Sequence, residues 1–117
     1  MLTVYVCTGL FILFDILTGL MKAWYERNLD STKLRQGMFN KLSEIAAVLF
    51  LTFVEYGAEK VGIPVKLPTV IIGCAYICIT EAISIIENLC TVNPKLLKVF
   101  QKYLNKLKES ENNDEDV

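Results

Sequence analysis

Histidine is absent from this 117-residue sequence, and with it go the commonest general base and the commonest metal ligand. There is also no phosphate-binding glycine loop, no nucleophile elbow and no cluster with metal-ligand spacing, so the residues offer no catalytic constellation and no cofactor site. The chain reads as a non-enzyme. Four cysteines occur without a CxxC pair. Cys7, Cys74 and Cys78 lie inside apolar runs and Cys90 at the end of one, a pattern of small packing residues rather than of a zinc site or a disulfide framework. A basic field is missing too. Twelve Lys and Arg against thirteen Asp and Glu give a net charge of −1, which argues against nucleic acid as a partner.

What is plentiful is apolar residue in blocks. Hydrophobic residues make up 53% of the chain, above the ~45–50% of soluble domains. The first block, Leu2 to Met21, has Asp15 as its single charge and at about 20 residues can cross a hydrocarbon core as a helix. No basic segment precedes it, an aspartate interrupts it and no small-residue cleavage pattern follows, so it reads as a retained span and not as a signal peptide. A polar connection from Lys22 to Lys41 follows, in which Asn28, Asp30 and Ser31 predict a turn and a helix start near Ser31. The second block, Ile45 to Val54, is flanked or interrupted by Glu44, Glu55 and Glu59 and is the weakest of three candidate spans; Gly57, Gly62 and Pro64 mark its end. Pro68 opens the third, Thr69 to Leu89, rich in isoleucine and free of Lys and Arg.

Beyond Pro94, Leu96, Leu97, Phe100, Tyr103, Leu104 and Leu107 recur at helical spacing against Lys95, Lys98, Lys102, Lys106 and Lys108. Such a basic amphipathic helix suits an anionic membrane surface, with Lys95, Lys98, Lys102 and Lys106 as its contacts, or packing on its own protein. The acidic end, Glu109 to Val117, reads as disordered. The expected fold is an all-α membrane protein with spans at about 2–22, 42–60 and 68–89, which together with the exit to residue 93 form one domain. A basic helix at 94–108 and a disordered tail at 109–117 follow. With three spans, ten of the twelve cations fall on one side and only Lys60 and Lys66 on the other. The positive-inside rule then predicts a multi-pass membrane protein with its N-terminus outside and its C-terminus in the cytoplasm.

Each span carries a polar stripe. At about 100° per residue, Thr69, Gly73, Tyr76, Thr80, Glu81, Ser84, Glu87 and Asn88 share one arc of the third helix, opposite Ile71, Ala75, Cys78, Ile79, Ala82, Ile85, Ile86 and Leu89. In the first span Thr8, Asp15, Thr18, Gly19, Lys22 and Glu26 share a face, and in the second Glu44, Thr52, Glu55, Ala58 and Glu59 do so. A carboxylate at mid-bilayer costs about 2.5–3.5 kcal/mol on insertion scales, so Asp15 and Glu81 need a partner, a proton or water. Two destinations satisfy the stripes: the interior of a monomeric bundle, with close approach at Gly19 and Gly73, or the contacts and water-lined wall of a homo-oligomer in the lipid bilayer.

The run Asp15-Ile-Leu-Thr18-Gly19-Leu-Met-Lys22-Ala23, followed by Ser31, Arg35, Gly37 and Lys41, resembles the first span and connection of the phage lysis and toxin-secretion holins. Glu81-Ala-Ile-Ser84-Ile85-Ile86-Glu87-Asn88 with the later Pro94-Lys95-Leu96 resembles their third span and exit, and the likeness covers about Leu13 to Leu107. It implies a non-catalytic protein that accumulates in the host membrane and then assembles into lesions that release or activate an endolysin, or in some relatives export a large toxin. It also implies an antiholin as a regulatory partner or an alternative role; a small ion channel using the intramembrane carboxylates is a further alternative. Two features depart from the family pattern. The first span begins at once, so the paired starts by which some relatives encode holin and antiholin are not visible, and Thr91, Val92 and Asn93 replace the glycine often found before the exit proline.

Overall fold

The computed structural model describes residues 1–64 and 68–115. Four helices follow in order: α1 (Leu2–Tyr25), α2 (Ser31–Val61), α3 (Thr69–Val92) and α4 (Leu96–Glu115). The first three are each long and apolar enough to cross a membrane.

The helix ends follow local chemistry. At the end of α1 the amide of Asn28 donates to the Ala23 carbonyl at 2.9 Å, with Arg27 in the left-handed conformation (φ 54°) where a glycine would be unstrained. Asp30 then caps α2, its carboxylate accepting from the Thr32 amide at 2.9 Å. As expected, α2 begins at Ser31, so the connection proper is the short stretch between Tyr25 and Ser31, and Lys33, Arg35 and Lys41, counted above with the polar connection, belong to the helix. Its 31 residues span about 46 Å against a hydrocarbon core of ~30 Å, so part of α2 extends beyond the apolar layer. Gly62 closes it at φ 80°, letting the Ile63 amide reach the Ala58 carbonyl at 2.9 Å.

The start of α3 has no cap of its own, since Pro68 precedes it without a side-chain hydrogen bond. A residue from α2 supplies one: Glu55 Oε1 accepts from the Thr69 hydroxyl at 2.8 Å and from the Val70 amide at 2.9 Å. A carboxylate at a helix N-terminus satisfies otherwise unpaired N–H groups and complements the positive end of the dipole.

Helices α1 and α3 run parallel with α2 antiparallel to both, as the contacts Tyr5–Thr52, Asp15–Lys41 and Thr18–Asn88 require. Central α3 touches α1, α2 and α4. One half of the bundle is an apolar core of Ile12, Val48, Val70, Cys74 and Ile77, with Val4, Tyr5, Ile16 and Leu51 packed against it. Leu51 comes so close to Gly73 that a Cβ there would lie 2.7 Å from its Cδ1. All four cysteines are free; Cys74 is a core residue and Cys7 is exposed.

Two expectations need correction. The segment assigned to a disordered tail is helical from Glu109 to Glu115, because α4 continues beyond Lys108; residues 116 and 117, like Lys66, lie outside the described residues. The apolar arc of α3 is also not all turned to lipid. Ile85 and Ile86 are buried, as is Ile83, since α3 is surrounded on more than one side.

The cap contact yields a test. Glu55→Ala should lower the thermal midpoint of the detergent-solubilised protein, Glu55→Gln should lower it less, and Glu59→Ala on the exposed side should barely move it. Equal midpoints for Glu55→Ala and Glu59→Ala would show that α3 does not need this carboxylate.

Candidate functional site

The half of the bundle away from the apolar core is built from polar groups. Lys41 enters from α2, Asp15 from α1 and Glu81 from α3, because these positions face one another when the apolar core residues Ile12 and Ile77 pack one turn away and Val48 two turns away. The Lys41 ammonium donates to Asp15 Oδ2 at 2.5 Å and to both oxygens of Glu81 at 2.8 and 2.7 Å, which uses all three of its N–H groups. Glu44, one turn along α2, lies 3.8 Å from the same ammonium. The side chain of Glu81 is 1% exposed and that of Asp15 8%, so one cation and two carboxylates are held almost out of contact with the surroundings.

A hydrogen-bonded layer continues the centre toward the end of α1. Asn88 donates through Nδ2 to Asp15 Oδ1 at 3.2 Å and to the Thr18 hydroxyl oxygen at 3.1 Å, while the Thr18 hydroxyl donates to the Phe14 carbonyl at 3.0 Å. Gly19 borders this layer, where a Cβ would make an ordinary contact with Asn88 Nδ2 at 3.8 Å. Ser84 and Lys22 border a cavity that opens beside the layer. Alongside the apolar core, the Tyr5 and Thr52 hydroxyls lie 2.8 Å apart and the Thr8 hydroxyl lies 3.5 Å from Cys78 Sγ.

The stripe residues thus divide. Asp15, Thr18, Gly19, Glu81 and Asn88 meet inside the monomer, with Glu44, Lys22 and Ser84 at the border. Glu55 and Gly73 lie at the opposite end of the bundle, in the α3 cap and against Leu51. Glu87 and Tyr76 are exposed and stand apart from the cluster. The hydroxyl of Thr80 and Oε2 of Glu44 are buried without a hydrogen-bond partner. The buried line of α3 passes through Val70, Cys74, Ile77, Glu81 and Asn88, rotated from the centre of the polar arc because α1 and α2 wedge against α3 between its polar and apolar sides. Lys95, just before α4, and Lys98, Lys102 and Lys106 on it are all exposed.

Lys41 is the residue that stripe counting missed, having been assigned to the connection. A signal was available: Lys41, Glu44, Val48, Thr52 and Glu55 continue one helical face at spacings of three and four. Extending the face of the second span back by one turn places a cation on the same side as the acids.

Removing the cation isolates two buried carboxylates, and breaking a buried pair this way costs roughly 3–5 kcal/mol. Lys41→Met should therefore sharply reduce the amount of folded protein in the membrane. Adding Asp15→Asn and Glu81→Gln to Lys41→Met should restore much of it, because no uncompensated charge is left. If Lys41→Met accumulates and resists unfolding like the unaltered chain, the ion cluster does not hold the bundle.

Among curated proteins and among solved structures, none matches the chain significantly. A profile describing the bacteriophage holin family does match, from residue 2 to residue 109, and takes in the three apolar helices, the ion centre and most of α4. With a match over nearly its whole length, the chain belongs to the bacteriophage holin family.

Proposed function

We propose that this chain is a lesion-forming holin whose monomer stores its polar surfaces inside the three-helix bundle and exchanges them, on assembly, for contacts with further copies and for water. The observation that carries this reading is the inverted distribution of polarity. Thr8, Asp15, Thr18, Glu81 and Asn88 are buried, whereas Leu2, Leu10, Phe14, Leu17, Phe50 and Phe53 are exposed. Such a bundle is suited to dissolving in lipid as a monomer. The same polar groups could line an aqueous lesion only after the helices separate, and each partner lost inside the monomer must be regained from a neighbouring subunit or from water. Storage of this kind fits a family whose members accumulate before they act. Lysis would follow when a cytoplasmic endolysin reaches the wall, with no direct holin–endolysin contact needed.

The orientation belongs to the same proposal. Lys41 is committed to the ion centre, yet the side holding the α1–α2 connection and α4 still carries the great majority of the cations. That supports an N-out, C-in arrangement, with the exposed Lys95, Lys98, Lys102 and Lys106 facing the cytoplasmic leaflet at about 1 kcal/mol of screened attraction each. In a chain freed of its native cysteines, a cysteine introduced at Asn112 should label only after the membrane is permeabilised. Ready labelling of intact protoplasts before any lesion opens would reverse the assignment.

Expression with and without a cytoplasmic endolysin tests the function. The expected result is abrupt lysis with the endolysin and loss of viability without it; unimpaired growth in both would make the chain a regulatory, antiholin-like subunit. The exchange of polar surfaces has its own test in the same assay. Because the Thr8 hydroxyl lies 3.5 Å from Cys78 Sγ, Thr8→Cys in a chain whose other cysteines are replaced should form a disulfide under mild oxidant and tie α1 to α3. Oxidised cells should fail to lyse and should recover lysis on reduction. Lysis on schedule with the crosslink complete would mean that the bundle need not open.

A further inference from the structure

Beside the ion centre, between α1 and the first turns of α2, lies a cavity of about 590 Å³, within the ~300–1,000 Å³ typical of sites for small ligands. Its lining is mixed: Ile16, Leu20, Leu34 and Met38 are apolar, and Lys22 and Lys33, at the end of α1 and in the first turn of α2, add two cations at the end of the cavity away from Asp15 and Lys41. The deep end, at Asp15 and Lys41, is already compensated by the ion pair between them. Among the described residues neither Lys22 nor Lys33 forms an ion pair, although Glu26 also borders the cavity. Arg27 and Arg35 are exposed nearby in sequence.

The height of this cavity in the membrane is fixed independently. Trp24 and Tyr25, at the end of α1, are 76% and 60% exposed, and aromatic side chains of this kind settle at the level of the lipid headgroups. Lys22 sits within one turn of both. The lysine-bearing end of the cavity therefore lies where phosphates reside, while Leu20 and Met38, nearer Asp15 and Lys41 along their helices, continue toward the acyl region.

We propose that this cavity is a binding site for an anionic phospholipid, with the headgroup phosphate between Lys22 and Lys33 and the upper acyl chain along Leu20 and Met38. A soluble anion would gain nothing from the apolar wall, and an uncharged lipid would gain nothing from the two lysines; an anionic phospholipid uses both. Occupied this way, the site would brace α1 against α2 beside the ion centre. The inference needs only the membrane placement of the three helices and is independent of whether the protein opens lesions.

The chain has a single tryptophan, which supplies the readout. In detergent micelles doped with brominated lipid, Trp24 should be quenched at a lower mole fraction of brominated phosphatidylglycerol than of brominated phosphatidylcholine, by roughly thirtyfold if each of the two lysines contributes about what a cation does near an anionic leaflet. Lys22→Gln with Lys33→Gln should abolish the preference, and both with arginine should retain it. Gly37→Leu should also abolish it without removing charge, since Gly37 lines the cavity and nothing stands within 4 Å of a Cβ there. Lys98→Gln with Lys102→Gln on α4 should leave it intact. Circular dichroism of each variant checks that the helices remain; should the glutamine pair lose helix, Gly37→Leu and the arginine pair decide. The proposal is overturned if Gly37→Leu keeps the full preference, if the α4 pair abolishes it, or if millimolar inorganic phosphate displaces the lipid.

Discussion

A lysine ammonium placed among helices that are themselves surrounded by lipid has few ways to be tolerated, and the arrangement of this protein follows from the way Lys41 is. Its three N–H groups go to one oxygen of Asp15 and both of Glu81, and each acid comes from a different helix than the base. Neither acid can pair without bringing its helix to α2, and Lys41 cannot be satisfied by one neighbour alone. Between membrane helices there is little hydrophobic force to choose a register, because lipid is as apolar as leucine. An ion pair buried on three sides chooses one, because any slip leaves a charge without a partner.

Around that contact the rest of the bundle has an order along its axis. The Glu55 cap on α3, the Tyr5–Thr52 hydroxyl pair, the apolar core at Val48 and Cys74, the ion centre and the Thr18–Asn88 layer succeed one another. Apolar packing fills the spaces between polar layers, and the close approach of Leu51 to Gly73 permits it. The large side chains, Phe14, Phe50, Phe53 and Trp24 among them, are left on the outside. A soluble protein with this distribution would aggregate, whereas in a bilayer it is the favourable one. One ammonium is shared among the carboxyl groups of Asp15, Glu81 and Glu44, so the centre gathers three acids around a single base.

Much of this was legible in one dimension. Three apolar runs of spanning length, the cap at Asp30, the glycine stop at Gly62 and the basic periodicity after Pro94 are local signals, and local signals survive in a sequence because they depend only on neighbours a few residues away. The helix beyond Lys108 was missed since an acidic, polar composition does not distinguish a solvated helix from a coil. Lys41 was missed for a different reason: it sits before the apolar run of α2, where hydropathy marks a connection, and only the continuation of the helix through that region turns its side chain to the acids.

By itself the sequence determined that the chain enters a membrane, how many helices do so and that each carries groups unsuited to lipid, because transfer free energy is a property of residues and adds along a run. It left the partners of those groups open, and a stripe that faces a neighbour within the monomer has the same spacing as one that faces another subunit. The tertiary structure decided this for Asp15, Thr18, Glu81 and Asn88 by setting α1 and α3 parallel with α2 between their acids, while leaving Glu87 outside and sending Glu55 to the end of α3. The physical reason is that pairing depends on the rotation and axial offset of whole helices, which one helix cannot encode and which are fixed only when the cation of one and the acids of two others must be satisfied at a single point.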